Sequence, residues 1–402
     1  MSHVLISGVT SCESRGVEAL VRSVVTHGCR WPEQQIVVLT QTPTLDAAAL
    51  ADLGPSLRCV ADPFVVSRSW SAHRPFETEA ELTARRKDLI EQACLVIGTG
   101  GDLHTPDYRV STSYLRALAA AQAHQVPTVL IGQSWGPFTA TEDAEALARV
   151  ADGCTLLSVR ERVSFDYAVD ALGLDPRRVR ISADPAFLLP AALPARVANI
   201  LLGCDVAPDD TYLCLAPSQG ITRYGNITDS QHLKALTELV THLGKTWAAK
   251  VLLVPHCHDS RPHNDDRVLA EQIAAAACTE QVQVIRGDLS CVDYKGVLAG
   301  ASLVVSERLH AAIGALSSGV PTVVIGHSHK FSGVPATTYG DQVPVSRFHL
   351  DIDELDDSFT SWSLLLGREN AAFLRGDLAA RMERVAAAAK YDLMSVRSLL
   401  AT

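Results

Sequence analysis

The chain has 402 residues, of which 47% are hydrophobic and 20% are charged, a composition that is typical of folded globular proteins and excludes a mainly disordered chain. Acidic residues outnumber basic residues by 45 to 35, for a formal net charge of −10, and no long basic run is present, so nucleic acid is not the expected partner. No stretch has the roughly 18 uncharged apolar residues of a membrane-spanning helix, and the N-terminus has no signal-peptide pattern. We therefore expect a cytoplasmic protein; docking on the inner membrane face and homo-oligomerisation stay open.

Predicted strands alternate with helical segments along most of the chain. Strands are predicted at residues 4–7, 36–40, 95–97, 128–131, 156–159 and 179–181, and again at 212–216, 251–255, 282–285, 303–305 and 322–325. Segments rich in alanine and leucine, such as 17–25 and 142–151, lie between them and are predicted to be helices. This alternation is typical of parallel sheets covered by helices, and it predicts an α/β fold.

The length of the chain favours two domains, and a proline-containing stretch at 188–205 separates the two series of strands. The predicted domains are residues 1–195 and 196–369, followed by an alanine-rich helical segment at 370–402. We expect two Rossmann-like, doubly wound domains that face each other across a cleft, with the loops at the strand ends lining a shared site.

Residues 301–334 carry the strongest functional signal. Two predicted strands enclose a helix, and a helix N-terminus at the carboxyl end of a strand favours anions. Arg308 and His310 lie in the first turn of this helix, and Lys330 follows the second strand. Two permanent cations and a titratable imidazole suit a small, multiply charged anion that also gains or loses a proton. The competing interpretation is that Arg308 pairs with a surface carboxylate, His310 packs against its neighbours and Lys330 is solvated.

Glycine-rich turns follow three predicted strands in the first half of the chain. Glycine lets main-chain amides approach an anion or a sugar hydroxyl closely. None of the turns has a dinucleotide-binding or P-loop pattern, and a plain tight turn explains each of them equally well. The substrate-binding candidates in these turns are Gly8, Gly100, Gly101, Gln133 and Ser134.

Charged residues also follow strands of the first half. Glu18 and Asp102 each come after a glycine turn, where a carboxylate could orient an acceptor hydroxyl or act as a general base. Glu18 is equally well explained as an acid that stabilises a helix N-terminus. Arg160 ends a predicted strand and is a candidate for the cleft, whereas Asp184 is expected to fix a turn.

The sequence His256-Cys257-His258 superficially offers metal ligands. Its spacing fits no zinc pattern, because no compact second pair of ligands follows it. We therefore expect no metal site. The ten cysteines are scattered, without a paired motif, and are expected to be reduced thiols.

Taken in chain order, short motifs of this sequence resemble those of the polysaccharide pyruvyl transferases. The motifs are RGVEAL at 15–20, GGDL at 100–103, GQSWGPF at 132–138, SVRE at 158–161, DPAF at 184–187, PH at 255–256 with DD at 265–266, RLH at 308–310, GVP at 319–321 and HK at 329–330. Members of this family transfer the pyruvyl group of phosphoenolpyruvate to sugar hydroxyls. The resemblance implies a two-domain fold of the glycosyltransferase-B type.

The resemblance also implies roles for individual residues. Arg160, Arg308, His310 and Lys330 would hold or process phosphoenolpyruvate, with Leu309 at the same substrate site and with no metal or organic cofactor. Glu18 or Asp102 would act on the acceptor hydroxyls. Many members have an acidic residue where this chain has valine at position 17, and the preceding turn at 11–14 is also unusual. Both departures fall on the presumed acceptor side, so the identity of the acceptor stays open.

The function implied is transfer of a pyruvyl group to two hydroxyls of a saccharide, lipid-linked or nucleotide-linked, with formation of a cyclic ketal and release of phosphate. Two alternatives stay open at this point. One is a nucleotide-sugar glycosyltransferase on the same fold, which would use Arg308 and Lys330 on a diphosphate. The other is a catalytically silent protein that binds sugar or phosphate.

Overall fold

A computed structural model of the chain describes residues 2–65, 72–73, 76–99, 101–107, 111–207, 209–355 and 365–400. The chain divides into two compact units. Unit 1 consists of Met1–Glu13, Val17–Leu188 and Ala387–Thr402, and unit 2 consists of Ser14–Gly16 and Leu189–Ala386. The short segment Ser14–Gly16 therefore belongs with unit 2, although most of its neighbours in sequence belong to unit 1.

Unit 1 is built on a parallel sheet of seven strands. The strands are β1 (His3–Val9), β2 (Ile36–Thr40), β3 (Leu57–Ala61), β4 (Ala93–Gly98), β5 (Thr128–Gln133), β6 (Leu156–Val159) and β7 (Val179–Ile181). Their order in the sheet is β3-β2-β1-β4-β5-β6-β7, and every neighbouring pair is parallel. The strand order reverses between β1 and β4, which makes this the topological switch point of the sheet.

The first helix, α1 (Arg15–Ser23), begins in unit 2 and continues in unit 1. The other helices before the division are α2 (Pro43–Ala49), α3 (Glu79–Glu91), α4 (Arg116–Ala123), α5 (Thr141–Asp152) and α6 (Arg162–Asp166). Both faces of the sheet are buried beneath these elements. Because side chains alternate along a strand, Leu5 of β1 packs with Val37 in one core cluster, and Ile6 packs with Val38 in another.

Unit 2 is built on a parallel sheet of six strands. They are β8 (Tyr212–Ala216), β9 (Lys250–Leu253), β10 (Val282–Val284), β11 (Val304–Ser306), β12 (Thr322–Gly326) and β13 (His349–Asp351), in the order β10-β9-β8-β11-β12-β13. Its helices are α7 (Pro194–Leu202), α8 (Asp229–Trp247), α9 (Asp266–Ala277), α10 (Cys291–Ala299), α11 (Leu309–Leu316), α12 (His329–Tyr339) and α13 (Arg368–Arg375). Here the strand order reverses between β8 and β11.

The predicted α/β class is confirmed, and all eleven predicted strands are present with ends shifted by at most two residues. The sequence patterns missed β3 and β13, each of which lies at one edge of its sheet. The alanine-rich run after residue 370 is not one continuous helix, because α13 ends before Gly376 and α14 (Leu378–Leu399) begins after it. The chain passes from unit 2 to unit 1 within α14.

Among the helices that lie in the described ranges, none combines the length and the apolar composition needed to cross a bilayer. Seven of the ten cysteines are buried and one, Cys278, is exposed. Burial raises the pKa of the thiols of Cys29 and Cys59 to about 12, so these side chains are protonated and inert at neutral pH.

Candidate active site

The carboxyl ends of β8 and β11, at the switch point of unit 2, are tied together by Glu307. One carboxylate oxygen of Glu307 accepts a hydrogen bond from the Ser218 amide at 2.8 Å, and the other lies 2.7 Å from Nε2 of His232. Burial lowers the pKa of His232, but the neighbouring Glu307 carboxylate outweighs it, so that the pKa of His232 is raised overall. This buried pair fixes the main chain directly before Arg308.

Arg308 is the N-cap residue of α11 and is held by Asp266 in a bidentate pair. Its Nε lies 2.9 Å from Oδ2 of Asp266, and its Nη2 lies 2.6 Å from Oδ1. Asp266 is fully buried, and burial raises the pKa of its carboxyl group while Arg308 and the Gln219 amide lower it. The side chain of Arg308 stays 24% exposed, so one edge of the guanidinium is fixed while part of the side chain reaches solvent.

The helices α11 and α12 begin with positively charged or titratable side chains in place of acidic ones. Both helices lie wholly within the described ranges; neither has an acidic residue in its first turn, and neither N-cap side chain, Arg308 or Ser328, caps the helix by a hydrogen bond. His310 and Lys330 are instead the second residues of the two helices. Cations near a helix N-terminus oppose the helix dipole, so this arrangement favours a bound anion.

Aromatic side chains adjoin Lys330. The buried Lys330 has its Nζ 5.5 Å from the centre of the Phe331 ring, and Phe331 in turn packs beside His327. The rings of His327 and Tyr224 are stacked with their centres 4.5 Å apart and an angle of 8° between their planes. Tyr224 follows β8 and His327 follows β12, so the loops of two strands that flank β11 meet through this stack. Leu309 is buried and acts in packing.

A second group of polar residues surrounds His256 and His258. The Nη2 atom of Arg15 lies 2.5 Å from Oδ1 of Asp288 and 3.2 Å from Nδ1 of His258, and Nε2 of His258 lies 2.9 Å from the hydroxyl of Tyr294. Since the guanidinium can only donate, Nδ1 of His258 is the acceptor and its proton is on Nε2. These contacts engage His258, one of the two histidines that superficially suggested a metal site, and the ring of the other, His256, packs 5.8 Å from the Tyr294 ring.

Burial and nearby cations hold both histidines neutral. Burial, together with Arg15, lowers the pKa of His258 from its ordinary 6.5 to about 4. Burial lowers the pKa of His256 well below its ordinary value, with smaller contributions from His310 and Arg308. Arg15 contributes to the lowered pKa of both histidines.

In unit 1, Arg160 is fully buried in an ion-pair cluster. Its Nη1 lies 2.6 Å from Oδ2 of Asp184, its Nε donates to the Ser134 hydroxyl at 2.8 Å, and Glu161 lies 3.5 Å from Nε. Asp184 also accepts a hydrogen bond from the Ala186 amide, in keeping with its predicted role in a turn. The direct grip of Arg160 on a substrate stays a prediction; in this structure its side chain is fully buried beside two carboxylates.

The two carboxylates predicted for the acceptor side differ in their surroundings. Glu18 is buried and pairs at 2.8 Å with Arg22, which also pairs with Asp52. Asp102 is partly exposed, and its negative charge contributes to the raised pKa of Arg160. Glu18 also lies in the first turn of α1, which leaves both of its interpretations open, whereas Asp102 keeps access to solvent.

The predicted glycine turns of unit 1 lie at the carboxyl ends of β1, β4 and β5. Gly8 and Gly101 have positive φ angles of 82° and 65°, and a side chain on Gly8 would clash with the main-chain oxygen of Thr99. Gln133 and Ser134 are buried, and Ser134 is engaged by Arg160 and Glu161. Gly100 lies outside the described residues.

Arg308, His310, Leu309 and Lys330 therefore share the strand ends of unit 2, while Glu18, Asp102, Arg160 and the glycine turns belong to unit 1. The predicted convergence of the two sets stays a prediction. The sequence patterns missed that Asp266 orients Arg308 and that Gly16 lies against His310. An acidic N-terminal residue in α9 hinted at the first, but no local pattern pointed to the second.

The model of the polysaccharide pyruvyl transferase family matches residues 28–329, three quarters of the chain. This chain belongs to the polysaccharide pyruvyl transferase family. The match includes Arg308 and His310 and ends just before Lys330. The chain is also similar to the amylovoran biosynthesis protein AmsJ of Erwinia amylovora, with 26% identity over 258 residues. These residues make up 61% of this chain and 60% of that relative.

Solved structures with the same fold have much lower sequence identity to this family member. The UDP-GlcNAc 2-epimerase of Neisseria meningitidis, solved with UDP-GlcNAc, has a TM-score of 0.62 at 11% identity and full coverage of both chains. Anabaena Alr3699/HepE, solved with UDP and glucose, has a TM-score of 0.58 at 11% identity, covering 100% of this chain and 98% of that one. The likeness confirms the predicted glycosyltransferase-B-like fold class.

Proposed function

We propose that this protein transfers the pyruvyl group of phosphoenolpyruvate to two hydroxyls of a saccharide, forming a cyclic ketal and releasing phosphate. Membership of the family supports the reaction class. The observation that carries the proposal is the pair of helix N-termini in unit 2 that lack acidic residues and side-chain caps and bear Arg308, His310 and Lys330 instead.

The donor is trianionic near neutral pH, so its recognition needs several positive groups. Arg308, oriented by Asp266, offers directed N–H donors, and Lys330 at the start of α12 adds a point charge. The N-terminal turns of two helices add their dipoles to the attraction for the phosphate and carboxylate groups. These groups also stabilise the charge that collects on phosphate as it leaves.

His310 provides the proton in the proposed mechanism. The imidazolium protonates the methylene carbon of phosphoenolpyruvate, and C2 becomes electrophilic. The first sugar hydroxyl attacks C2 and gives up its proton; the second forms the other C–O bond while the C–O bond to phosphate breaks. One hydroxyl proton restores the imidazolium and the other leaves with phosphate or solvent, so that the reaction is balanced.

Residues of unit 1 serve the acceptor in this proposal. We assign the carboxylate of Asp102 to orienting or deprotonating a hydroxyl, with Glu18 as the alternative, because Asp102 is partly exposed while Glu18 is buried against Arg22. Gly8, Gly101 and Gln133 keep their proposed place in the acceptor-binding turns. Arg160 acts as a positioning residue for Ser134 rather than by touching the donor.

The test combines ligand-induced stabilisation with turnover. Phosphoenolpyruvate should raise the melting temperature of the protein, whereas UDP-glucose and UDP-GlcNAc should not, since a ligand stabilises the native state that binds it. Phosphate release should then be measured with phosphoenolpyruvate and a panel of lipid-linked and nucleotide-linked saccharides. Stabilisation by a nucleotide sugar but not by phosphoenolpyruvate would overturn the proposal in favour of a glycosyltransferase. Donor binding without phosphate release across the panel would point to a binding protein.

A further inference from the structure

The segment Ser14–Gly16 is fixed against the strand ends of unit 2. Ser14 forms an antiparallel bridge with Cys257, and the Arg15 amide donates to the main-chain oxygen of His256 at 3.0 Å. The Arg15 guanidinium adds the contacts to Asp288 and His258 described above. The main chain at Gly16 is therefore held in place by its immediate neighbours.

Gly16 lies so close to His310 that no side chain fits between them. A Cβ atom built on Gly16 would lie 2.5 Å from Cγ and 2.7 Å from Cβ of His310, and closer still to Nδ1. Rotating the ring about the Cβ–Cγ bond does not relieve the overlap, because Cβ of His310 is itself too close. A change of the χ1 rotamer does not relieve it either, because Cβ is fixed by the main chain. A side chain at position 16 would therefore require the N-terminal turn of α11 or the main chain at Gly16 to move.

The main chain of Gly16 gives no reason for glycine at this position. Gly16 is the second residue of α1 and does not have a positive φ angle, so the backbone tolerates any L-residue there. Alanine is also the stronger helix former. The close approach to His310 is thus the feature that requires glycine.

We propose that Gly16 is a positioning residue that sets the orientation of the His310 ring for proton transfer. The main chain at Gly16 packs against the edge of the ring that carries Nδ1 and blocks other rotamers on that side. The opposite edge, which carries Nε2, is thereby held in one direction. The catalytic part of this inference rests on the proposed function, because it takes His310 to be the proton donor.

The decisive variant is Gly16→Ala. We expect its melting temperature to fall by a few degrees, because main chain must shift to admit the new Cβ. Its affinity for phosphoenolpyruvate should change less than about fivefold, and its turnover should fall by about 10²-fold, the order expected for a displacement of ~1 Å. Gly314→Ala is the matched control. It places a Cβ in the buried part of α11 at an ordinary 3.4 Å from Leu298, and should leave turnover unchanged.

A double variant identifies the route of the effect. If Gly16 acts through His310, adding Gly16→Ala to His310→Gln should lower turnover less than about threefold further. A further drop of tenfold or more would overturn the proposal. Loss of cooperative unfolding in Gly16→Ala would also overturn it, because glycine would then be needed for folding.

An NMR titration separates this inference from the proposed function. The imidazole signals of His310 should shift in Gly16→Ala and stay unchanged in Gly314→Ala, whether or not His310 is the acid. If His310→Gln keeps full turnover, the proposed chemistry fails while the NMR result still supports positioning by Gly16. Unchanged His310 signals in Gly16→Ala would overturn the positioning role itself.

Discussion

Arg160 and Arg308 both follow a parallel strand, and the sequence assigned both to the same anion, yet their surroundings differ in the balance of charge. Arg160 is fully buried, with Asp184 and Glu161 beside it. Arg308 has one bidentate carboxylate, is partly exposed, and is itself the N-cap residue of α11. On the proposed function, the difference means that the partly exposed arginine at a helix N-terminus binds the donor, whereas the fully buried one stabilises the fold.

The largest effect on turnover is expected when His310, the proposed proton donor in unit 2, is replaced. His310→Gln should retain most of the affinity for phosphoenolpyruvate and lose about 10²-fold to 10⁴-fold in turnover, because an amide cannot protonate carbon. Isothermal titration with phosphoenolpyruvate and the rate of phosphate release check the two parts separately. Loss of donor binding with unchanged turnover at saturation would show that the imidazole is a ligand and that another group is the acid.

Removing Arg160 should affect the fold more than the ligand. Arg160→Ala leaves two buried carboxylates without their cation and should lower the free energy of unfolding by about 3–5 kcal/mol. The exposed pair of Arg162 and Asp166, two residues along, supplies the control, since Arg162→Ala should change stability by less than about 1 kcal/mol. Urea unfolding measures both. A stable Arg160→Ala protein with weakened phosphoenolpyruvate binding would restore the direct role predicted from the sequence.

Replacing Arg308 should weaken binding of the ligand more than it destabilises the fold. Arg308→Lys should raise the Kd for phosphoenolpyruvate by about 10-fold to 100-fold, nearly as much as Arg308→Ala, because an ammonium group cannot keep the fork on Asp266 and also direct donors at the ligand. Arg286→Lys is a suitable control, as Arg286 makes a similar two-bonded pair with Glu271 on the surface. Unimpaired affinity of Arg308→Lys for phosphoenolpyruvate would show that Arg308 contributes only its positive charge and that the direction of its N–H donors does not matter.

The smallest effect concerns the neutral histidines beside the cations of unit 2. The pKa of His258 is about 4 when folded and 6.5 ordinarily, so the unfolded chain takes up the proton first as the pH falls. Its contribution to stability is complete above pH 6.5 and is lost progressively down to pH 4; between pH 7 and pH 5.5 the loss is about 1 kcal/mol. Urea unfolding of the wild type and of His258→Gln at both pH values measures it. An equal pH dependence in the two proteins would show that His258 does not titrate as described.

The central strands could be predicted because parallel strands buried on both faces are continuous apolar runs, such as residues 36–40 and 156–159. The edge strand β3, Leu-Arg-Cys-Val-Ala, has only one residue buried, and β13, His-Leu-Asp, has a single apolar residue. Such short and half-exposed strands have no apolar run, and only pairing with a neighbour defines them. The break between helices α13 and α14 at Gly376 was likewise not predicted, because the sequence around it is rich in alanine and favours a continuous helix.

The sequence by itself determined the α/β class, most strands, and the set Arg308, His310 and Lys330, because apolar periodicity and positive charge after strand ends are local properties of a chain. Tertiary structure alone decided which cations are neutralised. Asp266 reaches Arg308 from 42 residues away, Asp184 reaches Arg160 from 24, and Gly16 meets His310 across nearly 300 positions. Charge balance, burial and close approach depend on which segments meet in space, and no local pattern contains that information.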